Sequence, residues 1–173
     1  IVISSVTAAI ISRIHFGNFP AFILPDYHVA SFLEFPAFLL LGAVSALVAI
    51  IFIKAIFFTE DIANKIPIPS WTRPPIGGLA IGLIAIFCPY ILGAGYGTTD
   101  AALKNAIPID LLCLLIIAKI AATSISLAFR YGTGIFSPSL LLGAVIGSTF
   151  GYVATLAFPE LASDYGLYAI VGM

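Results

Sequence analysis

The stretch "RYGTGIFSPSLLLGAVIGSTFGYVATLAFP", Arg130 to Pro159, carries no charge after its first residue, yet it opens with two glycines, a serine and a proline. Ser137 followed by Pro138 reads as a local helix start. The serine oxygen is suited to cap orphan N–H groups, and a proline at the first helical position loses no hydrogen bond. Gly132 and Gly134 let the chain leave the preceding helix and turn. Irregular backbone at membrane depth is tolerated only where protein or a water-filled cavity surrounds it. A helix N-terminus carries roughly half a positive elementary charge, and broken-helix N-termini in transporters point at anionic groups. The segment is therefore read as the lining of an anion site. The pattern alone fits equally an ordinary loop outside the membrane. Against that, the loop lacks the charges of the chain's other connections. Gly143, Gly147 and Gly151, each four residues after the last, also form a stripe suited to close helix packing. The stripe speaks for burial and not for chemistry.

Composition sets the frame. Apolar residues make up 61% of the chain and charged residues 9%, and the mean hydropathy is +1.17; soluble domains carry about 25% charged residues. The fold class expected is an all-α integral membrane protein. Seven Lys/Arg against eight Asp/Glu give a formal net charge of -1, and no basic patch with interleaved aromatics offers a nucleic-acid surface. Cys88 and Cys113 lie inside apolar runs without CxxC spacing and read as small buried hydrophobes. Both ends fall within apolar runs, "IVISSVTAAIIS" and "YGLYAIVGM", so the expectation is a piece of a longer polytopic protein.

Working along the chain, Ile1 to Ser12 reads as the tail of a span closed by "RIHFGN", with Arg13 and His15 at the interface. "FPAFILPDYHVASFLEFP" reads as a loop. One long helix is expected from Pro36 through Lys54 into "FFTEDIANK", ended by Pro67 and Pro69. "PPIGGLAIGLIAIFCPYILGAGYGTT" is uncharged, with Gly78 and Gly82 one turn apart for a close helix approach, and is broken by Pro89, Gly93, Gly95 and Gly97. "TTDAALKNA" is a short helix with Thr99 or Asp100 as N-cap. "IPIDLLCLLIIAKIAATSISLAFR" spans with one cation, Lys119, and "FPELASDYG" is a loop before a last helix from Tyr165. In all, about five spans or part-spans and one short helix are expected. A lysine in mid-span costs about 2.5–3.5 kcal/mol on insertion scales, so it should face protein, a cavity or a carboxylate.

"GIFSPSLLLGAVIG", Gly134 to Gly147, resembles the GxFxP signature, and the helix after it, of the CLC family of chloride channels and chloride/proton antiporters. The upstream order is similar too: a long helix, a Gly-rich span ending in "LGAGYG", a short helix, and a span with a mid-helix cation. The resemblance covers nearly the whole chain and is least specific before about His28. It implies an inverted-repeat transporter fold with broken, tilted helices. Residues 1–34 would supply the last helix of the first repeat plus a loop, and 35–173 the first part of the second. It implies chloride held by the backbone N–H groups of Ile135 and Phe136, with Gly134 giving close approach and Ser137 and Pro138 supporting the helix start. It also implies a multi-pass protein in a lipid bilayer, working as a homodimer without a cofactor.

The family's gating-glutamate segment, its serine-bearing segment and its late tyrosine are not found in this chain. Without them the chain by itself is expected not to conduct selectively. Many members have two glycines before the Ile-Phe pair, where this sequence has Thr133 and Gly134. Arg130 stands where the family tends to have a small residue. It would add positive potential near an anion path, or would only snorkel to the interface. Lys119 matches a family cation whose role would be electrostatic or structural rather than direct ligation.

Two other classes of function compete with anion transport. An intramembrane enzyme would need a nucleophile with a base, or a metal cluster, inside a span. His15 and His28 lie in or beside loops, no H-E-x-x-H or G-x-S-x-G motif occurs, and Ser124 and Ser126 have no histidine partner in the sequence. A non-transporting scaffold or interaction subunit is the remaining alternative to anion transport.

Overall fold

The computed structural model describes residues 2–18, 22, 34–130, 134–157 and 164–173. Its seven α-helices among those residues are α1 (Val2–Phe16), α2 (Phe35–Lys65), α3 (Arg73–Phe87), α4 (Tyr96–Leu103), α5 (Ile109–Ala128), α6 (Phe136–Ala157) and α7 (Tyr165–Gly172), with a 3-10 turn at Pro89–Ile91. Helices α2, α5 and α6 are long and apolar enough to cross a membrane. The 31 residues of α2 extend about 46 Å at about 1.5 Å each, well beyond a hydrocarbon core of about 30 Å. A helix of that length is long enough for its charged end, Glu60 to Lys65, to extend beyond the apolar layer. Helices α1, α3 and α7 are part-spans of 15, 15 and 8 residues.

Helix α3 stops earlier than its apolar run does. Pro89 has no N–H and pushes the residue before it out of the helical region, and Cys88 sits at φ -139° and ψ 79°. The chain then makes the 3-10 turn and enters a glycine turn in which Gly93 and Gly95 have φ +68° and +82°. Those left-handed angles are reached without steric cost only by glycine. Helix α4 begins at Tyr96 with Gly95 as its N-cap, in place of the Thr99 or Asp100 cap expected. Thr99 is instead inside the helix, its hydroxyl donating to the Gly95 carbonyl at 2.9 Å. Thr98 donates to the Tyr90 carbonyl at 3.1 Å.

Two buried clusters meet along α5 and α6. One joins Cys88, Ile91, Ala102, Leu112, Leu115, Leu141 and Val145; the other joins Leu41 and Phe52 of α2 to Leu142, Ile146 and Tyr168. The ring of Tyr168 lies between those of Phe38 and Phe150, with centroid separations of 5.3 and 5.9 Å. The glycine stripe of α6 faces α7. A Cβ on Gly143 would overlap the carbonyl of Gly172, and one on Gly151 would come within 2.8 Å of Tyr165 Cα. The two helices are thus antiparallel and in backbone contact. Gly82 differs from the expectation of a close approach: no described atom outside α3 lies within 4 Å of a Cβ built there. Helix α1 buries none of its residues.

Cys88 is buried as expected, whereas Cys113 is exposed, because α5 turns that face away from both clusters. His28 and most of the loops before α2 and α7 lie outside the described residues.

Candidate functional site

The signature segment starts α6 at Phe136, so Pro138 occupies the third helical position instead of the first. That placement is still compatible with proline, because N–H groups of the first turn have no intrahelical partner. The first helical bond runs from Ser139 N–H to the Ile135 carbonyl at 3.1 Å. The main-chain N–H groups of Ile135, Phe136 and Ser137 thus precede any helical donor. The Ile135 and Phe136 side chains are 49% and 77% exposed, and Gly134 has open space where a Cβ would stand. The helix start faces outward from the described residues. Gly132 and Thr133 lie outside them.

Ser137 does not cap its own helix. Its hydroxyl donates to the Ala94 carbonyl, 43 residues away, binding the α6 start to the glycine turn after α3. Leu141, one turn on, covers Gly95: a Cβ there would stand 2.9 Å from Leu141 Cδ2. Farther along, buried Ser148 donates to the Ala102 carbonyl at 3.1 Å. Gly95 beside Leu141 and Ala102 beside Ser148 mean that α4 and α6 run in the same direction. Their positive ends lie side by side at this turn.

Lys119, midway along α5 and 3% exposed, reaches the other side of the same turn. Its ammonium donates to the carbonyls of Ile91 at 2.9 Å and Gly93 at 3.3 Å. No main-chain N–H of the described residues donates to either oxygen. The ammonium thus does what a buried cation must, finding strong acceptors, and it satisfies two carbonyls that lipid could not. Neither bond was legible in the sequence, because the partners stand 26 and 28 residues apart and carbonyls leave no compositional trace.

Arg130 ends α5 in a way that the glycines were expected to. It sits at φ +60°, and its N–H closes onto the Leu127 carbonyl at 3.0 Å, the left-handed stop usually made by glycine. Its side chain is exposed. Lys119, Ser137 and the glycine turn form one connected group, and no side-chain hydrogen bond or ion pair joins Arg130 to it among the described residues. Among the described residues, no three His, Cys, Asp or Glu side chains gather into a cluster.

The model of the voltage-gated chloride channel family matches residues 1–173. Among curated proteins, the chain is 34% identical to chloride channel protein CLC-e and 32% identical to chloride channel protein CLC-f, both of Arabidopsis thaliana. It is 29% identical to the H(+)/Cl(-) exchange transporter ClcA of Vibrio cholerae. Each alignment takes in all of this chain but only 27%, 24% and 38% of the relative. The chain therefore spans about a quarter to two-fifths of the length of these proteins.

Proposed function

The chain belongs to the voltage-gated chloride channel family, and from that premise we propose that the protein carrying it moves chloride or a similar small anion across a membrane, as a channel or a proton-coupled exchanger. The observation that carries this reading is the outward-facing start of α6. There the main-chain N–H groups of Ile135 and Phe136 stand ahead of the first helical donor, with open space at Gly134. An anion seated there gains charge-assisted hydrogen bonds and the positive helix end. Because these donors belong to the main chain, they need no charged ligand and hold the ion weakly enough to release it.

Within this reading, residues 1–34 close a first inverted repeat and 35–173 open a second, and other parts of the protein complete the anion's coordination. The exposed apolar face of α2, with Leu39, Leu47, Phe57 and Phe58 between 62% and 79% exposed, fits lipid or a second copy in a homodimer. The protein is a multi-pass membrane protein, as its family is.

The test is made on the full-length protein, with chloride efflux from reconstituted vesicles and chloride affinity by calorimetry as the readouts, and an ester replacing the amide at Phe136. The ester removes one N–H and keeps the ring. Efflux by the wild type and a marked loss of chloride affinity in the ester variant are expected. An ester variant that binds chloride as the wild type does overturns the assignment.

A further inference from the structure

The glycine turn before α4 is fastened from two helices at once. From α5, Lys119 holds the carbonyls of Ile91 and Gly93; from α6, Ser137 holds the carbonyl of Ala94. The three acceptors lie within four consecutive residues, from the last residue of the 3-10 turn, Ile91, into a glycine turn that has no helical or sheet ladder of its own. Without these bonds, little would fix where the Ala94 carbonyl points. The first turn of α6 is sparsely held in its turn: Ile135, Phe136 and Ser139 are exposed, and the Ser137 hydroxyl and Leu141 are its described ties to the glycine turn.

The ammonium itself is not placed to serve as an anion ligand. Two of its three donors are taken by carbonyls, and the exposed Ile135 and Phe136 lie on the α6 side of the turn. No ion pair to Lys119 occurs among the described residues.

We propose that Lys119 is a positioning residue for anion binding: by fixing the Ile91 and Gly93 carbonyls it sets the Ala94 carbonyl, and through the Ser137 hydroxyl it sets the N-terminus of α6. The inference rests on the proposed anion site. It assigns Ser137 the role of a strut between two segments, with its hydroxyl engaged away from the ion.

The experiment uses the full-length protein, with chloride affinity from calorimetry and the unfolding temperature measured on the same samples. Lys119→Met, Lys119→Arg, Ser137→Ala and the Met/Ala double variant are compared. Lys119→Met and Ser137→Ala are each expected to weaken chloride binding by about five- to twentyfold. The double variant should be no weaker than the worse single variant by more than about twofold, because both changes release the same turn. Lys119→Arg should recover part of the loss, since a guanidinium can donate to the same carbonyls.

Losses that multiply in the double variant overturn the coupling. So does a Lys119→Met protein that unfolds at lower temperature but binds chloride as tightly as the wild type. If Lys119→Met does not fold, Ser137→Ala still decides, because unchanged affinity there removes the strut. The Phe136 ester separates the two readings. If the ester weakens binding and Ser137→Ala does not, only this inference falls; if the ester has no effect, the anion site falls with it.

Discussion

The α-carbon of Gly147 stands so close to the carbonyl oxygen of Tyr168 that no side chain fits between them. The contact is backbone to backbone, so neither partner can rotate away. Gly147→Ala should therefore force α6 and α7 apart. Overpacking typically costs about 1–3 kcal/mol, and the fixed backbone puts this case at about 3. A fall in the unfolding temperature of the full-length protein checks it, and an unchanged temperature would contradict the packing.

Gly82→Ala is the contrasting case. Among the described residues, nothing outside its own helix lies within 4 Å of a Cβ at that position, and alanine is preferred over glycine inside a helix by about 0.5–1 kcal/mol. Stability should stay level or rise. A loss as large as that of Gly147→Ala would reveal a helix from elsewhere in the protein seated on α3.

At the α6 start, main-chain and side-chain changes should separate. A hydrogen bond to a charged group is worth about 1.5–3 kcal/mol, so the Phe136 ester should weaken chloride binding about ten- to a hundredfold. Phe136→Leu keeps the N–H and should cost clearly less. Gly134→Val should act like the ester by obstructing the approach to the main chain. Calorimetry on the three variants orders them.

Arg130→Gly should be neutral or stabilising, by up to about 1 kcal/mol, because it relieves a left-handed conformation at φ +60°. With its side chain exposed and not bonded to the Lys119 group among the described residues, the substitution should leave chloride affinity unchanged. A drop in affinity at unchanged stability would show instead that the guanidinium contributes potential along the anion path.

The 173-residue chain alone, placed in vesicles, should give no selective chloride efflux. On the proposed reading it contributes one helix start to a site that other segments of the protein complete. Selective efflux from the isolated chain would remove that account.

Much of the fold is legible in the sequence. The uncharged run from Pro36 to Ile53, followed by charges in helical continuation, gave α2. "GIFSP" located a helix start, because glycine and proline act through local dihedral limits that operate wherever the chain goes. The spacing of Gly143, Gly147 and Gly151 marked a packing face, though not that α7 would occupy it. What the sequence alone misplaced was also local but finely balanced. The N-cap of α4 fell to Gly95 because the left-handed turn before it ends there. The stop of α5 fell to Arg130, whose N–H closes onto the Leu127 carbonyl at φ +60°, a left-handed conformation that costs a non-glycine residue about 1 kcal/mol.

The connections that organise the site belonged to the tertiary structure alone. Lys119 announced only that a cation in mid-span needs a partner, and Ser137 only that a hydroxyl stood at a helix start. That both would end on one turn, at Ile91, Gly93 and Ala94, follows from how α3, α5 and α6 pack. A carbonyl oxygen is present at every residue, so the sequence can show that an acceptor is needed but not which one. The sequence thus determined the membrane class, the helices and the position of the broken segment, all set by hydropathy and backbone dihedral preference. The fold decided which groups meet, because hydrogen bonds across 26 to 43 residues depend on distances in space that no spacing along the chain encodes.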